Sequence, residues 1–488
     1  MTDCSLFDGW DMYPLNLFKT TLDADAARCR KRLSNEAQRL FIPSSEECQL
    51  KVWAYNFVHG KTIRHANLTL KQASDLKLYL SQGQPQSAQI FFINQAYSWG
   101  PLLITDEVFK KLATALKLHP GFLDVVHTFG ERVAPVEESS ASLFTRMQPN
   151  NLEFPAQYSY EIAYNFKYVA RHGRSTPQDP FSIRQVGVYH QFEENSFTSN
   201  WVFLQAPDNL QARLASDYEG CEVSELVTQS YHHAAVFQCL SEDWREYVNH
   251  LEDALSTLMD RGLFSNITPV AGEGRINADF GDIRLLQVMT DKLKRLFHIL
   301  QLNVSLCQRL QAFLSHIYSL SNRDAATGSH SQDTLFDNCI FHLETQRARV
   351  KSMISRADGI GSMIEHVLDV RNTQTAHNMN STMHELSKRS AEENKLVRML
   401  ASQSTKDTRS MKVIAFISSI FLPATFVATF FGSNFFGFES TSDGNVLAVA
   451  SNVWIYMIVA LAFSAIAMTL WYWWYSRKPS VVEVEANV

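Results

Sequence analysis

The sequence contains no HExxH, no GxSxG and no Gly-rich loop ending in Lys, so the common metalloprotease, hydrolase and phosphate-loop signatures are missing. Gly272-Glu-Gly274 is too short to cradle a phosphate, and no Lys follows it. Cysteine is sparse: seven residues, at 4, 29, 48, 221, 239, 307 and 339, odd in number and never spaced as CxxC. That pattern excludes a disulfide framework and a zinc ribbon, and it points to reduced thiols in the cytosol. Neither sign of charge dominates, with a net charge of −6 over 488 residues. The Arg28-Cys-Arg-Lys-Arg32 cluster is short and reads as a solvated helix face, so there is no footprint for nucleic acid. The first residues carry Asp3, Asp8 and Asp11 and no apolar core, which fits neither a secretory signal nor an Arg-rich transit peptide. His232-His233 stands alone and reads as structural rather than as a ligand pair or part of a catalytic site, and nothing in the sequence calls for a bound cofactor.

Two long stretches lack charge altogether, and these organise the chain. No charged side chain falls between Lys412 and Glu439, or between Asp443 and Arg477, where the apolar heart runs from Val453 to Trp474. At about 1.5 Å per helical residue, each can cross a hydrocarbon core of roughly 30 Å. The pattern predicts a two-helix hairpin in a lipid bilayer: a first span over 411–434, a loop over 435–452, a second span over 453–475 and a tail over 476–488. Lys395, Arg398, Lys406, Arg409 and Lys412 precede the first span and Arg477 and Lys478 follow the second, whereas the loop has no Lys or Arg. The positive-inside bias therefore predicts both termini in the cytosol and the loop outside, with the plasma membrane as the expected location. Trp454 and Tyr456 at one end of the second span, and Trp471 to Tyr475 at the other, suit the two interfaces. Topology also places the glycosylation-like triplets at Asn67, Asn266 and Asn380 on the cytosolic side, where they carry no meaning.

The first span is not uniformly greasy. Met411, Ile414, Ser418, Leu422, Thr425, Thr429 and Gly432 recur every three or four residues and share one helical face. Hydroxyls and Gly on one face suit close packing between transmembrane helices. They also suit a water-accessible pore wall that meets a hydrated ion, although spacing alone favours packing. Pro423 removes a backbone donor and frees a carbonyl upstream, a feature that kinks a span or offers an oxygen to a pathway. Two spans cannot enclose a pore, so the pore reading requires a ring of identical subunits.

Met411-Lys-Val, then Pro423-Ala-Thr425-Phe-Val-Ala, with Phe431-Gly-Ser-Asn434-Phe closing the helix, resembles the membrane signature of the CorA superfamily of divalent-cation channels. The likeness is specific over about 405–478 and architectural before that, and it is similar to a divergent, fungal-type branch. The resemblance implies a CorA-like funnel: a cytosolic α/β or α+β domain, long stalk helices and a two-helix transmembrane hairpin, assembled as a homopentamer. It implies that the first span lines the pore and that a Gly-Met-Asn ring at its outer end holds a hydrated Mg²⁺. Carried onto this chain, Gly432, Ser433 and Asn434 form the selectivity filter, with Asn434 facing the hydrated ion. Thr429, Thr425, Leu422, Ser418, Ile414 and Met411 then line the way to the cytosol, as the spacing allows. Ser433 stands where the family has Met, which puts Mg²⁺ selectivity at issue and leaves Co²⁺, Ni²⁺ or Zn²⁺ as cargo, or a non-conducting scaffold or sensor of the same architecture. Mg²⁺ sheds water reluctantly, so neutral amide oxygens reading its hydration shell suit it. Glu439 and Asp443 in the loop would concentrate cations electrostatically.

The remainder reads as a soluble body. Hydrophobic content of 45% supports a sizeable core. Residues 1–240 predict a mixed α/β domain, and 241–410 a long-helix bundle and stalk. Ala88 to Asn94 reads as a strand, and Thr105 caps a helix through Lys117. Tyr158, Tyr160, Ile162, Tyr164, Phe166 and Tyr168 alternate as in a half-buried strand. Ile183–Phe192 and Trp201–Gln205 read as a strand pair across a polar turn. Within Asp179 to His190, Arg184 and His190 are candidates for a ligand site, although an ordinary core strand explains the stretch as well. An amphipathic helix runs from Ser241 to a stop at Gly262. A heptad-like run from Leu286 to Ile317, broken only by Asn303, predicts a coiled-coil-like helix packed on another. From Thr334 a helical pattern continues to Pro423, on the order of 100 Å or more if unbroken. Its part from 372 to 410 is too polar to be buried.

Overall fold

The computed structural model describes residues 6–19, 25–58, 61–81, 87–134, 139–149, 158–173, 179–193, 198–219, 226–265, 278–320, 329–430, 436–441 and 444–476. The chain divides into two compact units, Met1–Arg371 and Asn372–Val488.

The first unit is built on a seven-stranded sheet: β1 (Leu50–Val58), β2 (Lys61–Leu70), β3 (Ala88–Ile93), β4 (Leu143–Pro149), β5 (Tyr158–Arg171), β6 (Phe181–Glu193) and β7 (Thr198–Leu204). Its spatial order is β2-β1-β3-β7-β6-β5-β4. Neighbours run antiparallel except β3 and β7, which pair in parallel from Ala88↔Ser199 to Ile93↔Leu204. Helices α1 (Ala26–Leu40), α2 (Ala73–Ser81), α3 (Asp106–Ala115) and α4 (Phe122–Val126) cover one face. The other face is covered by α5 (Asp208–Tyr218), α6 (Leu226–Ser241), α7 (Trp244–Leu263), α8 (Phe280–Leu320) and the start of α9 (Ser329–Phe430). The expected α/β body is therefore a three-layer sandwich.

Covering both faces corrects the reading of β5. Tyr160, Ile162, Tyr164, Phe166 and Tyr168 point into one core, as the alternation requires. The opposite side is not solvated: Asn165 and Lys167 are buried there among hydrogen bonds. Asn165 Oδ1 accepts from the Ser142 N–H at 2.6 Å, and Lys167 Nζ donates to Gln185 Oε1 at 2.6 Å. Polar residues with fixed partners look like a solvent face in sequence and are not one.

Three helix boundaries also move. Thr105 caps α3 as expected, its hydroxyl accepting from the Val108 N–H at 3.3 Å, but the helix stops at Ala115 and Lys117 has a φ of 53°. That left-handed residue turns the chain out of the helix. Ser241 ends α6 rather than starting a helix, and α7 begins at Trp244. The stop expected at Gly262 falls one residue short: α7 ends at Leu263, and Gly262 is its penultimate residue. A Cβ there would come within 3.1 Å of Ile360 and Ile364 on α9, so this glycine allows close helix packing. The seam of α8 serves the sheet and several helices at once. Its one polar break, Asn303, docks on β5 by donating from Nδ2 to the Lys167 carbonyl at 2.8 Å. The polar turn expected between β6 and β7 falls at 194–197, outside the described residues. Among the described cysteines, 29, 48, 239, 307 and 339 are free thiols.

The second unit holds the rest of α9, then β8 (Phe436–Thr441), β9 (Gly444–Val449) and α10 (Val453–Ser476). Every residue from Asn372 to Ser410 is exposed in the single chain, in keeping with the polarity of that stretch, and the exposure continues over the apolar residues to Ser418. Pro423 does not end the helix, which continues to Phe430. The expected plain loop is a two-stranded antiparallel ribbon, paired from Phe436↔Val449 to Thr441↔Gly444.

Candidate ion pathway

Two helices are long and apolar enough to cross a membrane, α9 over its last part and α10 from Val453. Within the second unit they pack on one another: the Phe416 and Trp471 rings lie 5.7 Å apart between centroids. Around that contact, Ser419, Ile420 and Pro423 are half-buried and Val427 is 4% exposed. At about 100° per residue these positions fall within roughly 60° of Phe416 around the helix.

The sequence-predicted stripe takes the other side. Met411, Ile414, Ser418, Leu422, Thr425 and Thr429 fall about 160–240° away from Phe416 on the same wheel. All six are exposed, Met411 at 71% and Leu422 at 65%. The second span thus leaves this face uncovered. Its hydroxyls are oriented by the helix itself: Thr425 Oγ1 donates to the Phe421 carbonyl at 2.8 Å and Thr429 Oγ1 to the Thr425 carbonyl at 2.8 Å. A hydroxyl that has given its proton to its own backbone keeps its lone pairs free to accept from water or to face a cation.

The structure brings six of the predicted pathway residues onto one exposed face of α9. Gly432, Ser433, Asn434 and Asp443 lie outside the described residues. Glu439 lies on β8, opposite Val446 on β9. Among the described residues no cluster of three or more His, Cys, Asp or Glu side chains is arranged to hold a metal.

In the first unit, sequence reasoning missed a buried polar chain. The Tyr164 hydroxyl lies 3.0 Å from His233 Nδ1, and His233 Nε2 lies 2.9 Å from His190 Nδ1. His190 Nε2 lies 3.1 Å from Ser199 Oγ, which donates to Gln229 Oε1 at 2.9 Å. The His190 ring stacks on Trp201 with centroids 3.8 Å apart. Burial pushes His233 and His232 down to about 3 and His190 well below its ordinary value, with the neighbouring histidines adding to the effect for His190 and His233. All three are neutral at physiological pH, so the structural reading of His232-His233 fits and His190 is a core residue. Nothing in linear spacing links positions 164, 190, 199, 229 and 233; only the sheet register and α6 do.

Residues 5–263 match the family described as CorA-like transporters, and residues 394–478 match CorA-like Mg²⁺ transporter protein. Among curated proteins, Notoamide biosynthesis cluster protein M' of Aspergillus versicolor is 40% identical over 55 residues, 11% of this chain. The chain spans 12% of the length of that relative. Among solved structures, the CorA magnesium transporter of Methanocaldococcus jannaschii aligns with a TM-score of 0.35 at 10% identity, over 86% of this chain and 96% of its own. The ZntB cytoplasmic domain of Vibrio parahaemolyticus aligns at 0.37 and 7% identity, over 66% and 98%, and the full-length CmaX protein at 0.35 and 11%, over 87% and 97%. The first family match takes in over half of the residues, and the chain belongs to the CorA-like transporters, a family of membrane proteins that move divalent cations and not a family of enzymes.

Proposed function

We propose that this chain forms a homopentameric Mg²⁺ channel whose pore is lined by the stripe on the first span. The observation that carries this reading is the segregation of faces on α9: the side with Phe416 and Val427 packs on the second span, and the opposite side, with Ser418, Thr425 and Thr429, is uncovered. A lipid-facing surface has no use for hydroxyls; a surface turned toward a shared axis does. Two spans per chain cannot surround an ion, so copies arranged about a symmetry axis complete the wall.

In this reading Asn434 forms the outer ring, with Gly432 allowing the tight turn behind it and Ser433 beside it. The amide oxygens hold the ion's water shell without stripping it, which suits Mg²⁺ better than a carboxylate cage would. Glu439 and Asp443 raise the cation concentration at the mouth. Both termini face the cytosol, and the plasma membrane is the proposed location. The test is uptake of Mg²⁺, Co²⁺, Ni²⁺ and Zn²⁺ into liposomes carrying the purified protein, beside Asn434→Ala. Mg²⁺ uptake that vanishes in an assembled Asn434→Ala supports the channel. Wild-type uptake in that variant sinks the assignment of the filter, and silence of the folded oligomer toward every ion leaves the non-conducting scaffold.

A further inference from the structure

Among the described strands, β3 and β7 are the one parallel pair. Ligands in sheets with parallel strands gather beyond the carboxyl ends, where the following loops diverge. Beyond Ile93 the chain forms a turn over Tyr97–Gly100, closed by the Gly100 N–H donating to the Tyr97 carbonyl at 2.9 Å. A Cβ on Gly100 would sit 2.9 Å from the Tyr97 ring, so the ring lies where only glycine permits it. The Arg132 N–H donates to the Trp99 carbonyl at 3.0 Å, and the Gln95 side chain donates to the Gly100 carbonyl. Beyond Leu204, Gln205 holds a φ of 57° and accepts from the Gln95 N–H through its side chain. This left-handed non-glycine residue fixes the direction in which the chain leaves β7, and its side chain ties that exit to the one after β3.

This braced turn presents Tyr97 and Trp99 to solvent, 56% and 38% exposed. Beside it opens a cleft of about 510 Å³ whose lining includes Arg132, Arg184, Lys292, Arg295 and His172 and no carboxylate. An adjoining recess shares Arg132 and Arg184 and adds Lys167. The cations come from separate parts of the chain: after α4, on β6 and on α8. They are therefore not the solvated face of one helix. Asp179 accepts from Lys292 Nζ at 3.0 Å, Arg184 Nε donates to Ser182 Oγ at 3.3 Å and the Arg132 guanidinium donates to the Thr128 carbonyl, so these cations are held in place by neighbours from the same body. Gathering like charges in a concave surface raises the local concentration of anions and favours a multiply charged one. Planar guanidinium groups match phosphate oxygens, and exposed aromatic faces accept a stacked base. The volume falls in the range of small-molecule sites, roughly 300–1,000 Å³.

We propose that this cleft binds a nucleotide, with its phosphates among Arg132, Arg184, Lys292 and Arg295 and its base stacked on the Tyr97–Trp99 turn. The site shares no residue with the proposed pore, and its occupancy is measured without transport.

The experiment is calorimetric titration of the full-length protein in detergent, in metal-free buffer, with ATP, inorganic tripolyphosphate and adenosine. ATP binds saturably; tripolyphosphate binds about tenfold more weakly and competes with it. The Arg184→Gln/Arg295→Gln variant weakens both at least tenfold. Trp99→Ala, on an exposed turn that leaves the core untouched, weakens ATP at least fivefold and leaves tripolyphosphate unchanged, so the proposal stays testable if the double variant does not fold. Absence of saturable ATP binding, or unchanged ATP affinity in Trp99→Ala, overturns it. Equal affinities for ATP and tripolyphosphate overturn the nucleotide assignment in favour of an inorganic polyanion.

Discussion

Glu161 sits on β5, directly opposite Arg146 on β4. Burial lifts its carboxyl from the ordinary 4.5 to about 7, against the downward pull of Arg146 and of a hydrogen bond with Tyr189. In the unfolded chain the group titrates near 4.5, so the folded state binds the proton more tightly. The sign follows: Glu161 costs nothing below the unfolded value, and its ionisation progressively destabilises the fold as pH rises toward about 7, after which the cost is constant. A displacement of this size corresponds to about 3 kcal/mol in full, and to roughly 2–3 kcal/mol between pH 5 and pH 8.

Replacing Glu161 by Gln keeps the shape and the neutral state and removes the titration. For a cooperative unit the size of Met1–Arg371, unfolding entropy near 2.1 cal/mol/K per residue turns that energy into a melting shift of about 3 °C. The assay is thermal unfolding of wild type and Glu161→Gln in the same detergent from pH 5 to pH 8, comparing the two at each pH. Groups common to both proteins, His127 among them, cancel in the difference. The expected result is near-equal melting at pH 5 and a variant about 3 °C more stable at pH 8. A gap that does not change with pH would refute the reasoning, because burial would then not be raising this carboxyl.

Gly262→Leu places a large side chain where a single Cβ already meets Ile360 and Ile364 at 3.1 Å; unfolding should be easier by about 1–3 kcal/mol, read as a lower melting temperature. In the spans, Thr425→Cys should react with a charged thiol reagent and lose Mg²⁺ flux on labelling, whereas Val427→Cys, 4% exposed against the second span, should do neither. Comparable labelling and block at both positions would reverse the assignment of faces. Ser433→Met restores the family residue beside Asn434 and should hold or sharpen the preference for Mg²⁺ over Co²⁺ and Ni²⁺ in the liposome assay. Complete loss of flux there would mean that this filter works by a different arrangement.

The two long apolar helices were legible because their determinants are local. Absence of charge over two long stretches is a property of contiguous residues, and a helix converts a three-and-four spacing directly into a face. The soluble half was legible as strands and helices but not as layers. Whether β5 is covered once or twice depends on α1 to α4, which are far from it in sequence, and Asn165 and Lys167 look solvated until Ser142 and Gln185 arrive. Gly262 read as a helix stop and marks one to within a residue; the second constraint on it, the α9 side chains almost a hundred positions later, has no local trace. The same holds for the His190 chain and for the basic cleft. Arg184 was conspicuous in the sequence, but Arg132, Lys292 and Arg295 join it only through the fold.

The exposed part of α9 makes a separate argument for assembly. Met379, Met383, Leu386, Val397 and Leu400 are all about 60–70% exposed on a largely polar stretch of helix, where Leu396 and Met399 are the other large exposed apolar side chains. Their spacing alternates four and three, with Ser390 and Glu393 filling the two steps between Leu386 and Val397. Continued downstream, the same rhythm passes Ser404 and Asp407 and lands on Met411, Ile414, Ser418 and Thr425, the stripe of the first span. A seven-residue repeat of this kind keeps one seam turned toward neighbouring helices along its whole length. A solitary chain would hold these apolar side chains in water, at a cost of about 25 cal/mol for each Å² left exposed. Copies related by an axis along that seam would cover them, and would carry the same face through the membrane. The polar portion and the hydroxyl-bearing portion then share one surface of one helix, and in the proposed channel the pore wall would continue a seam that begins well before the apolar span.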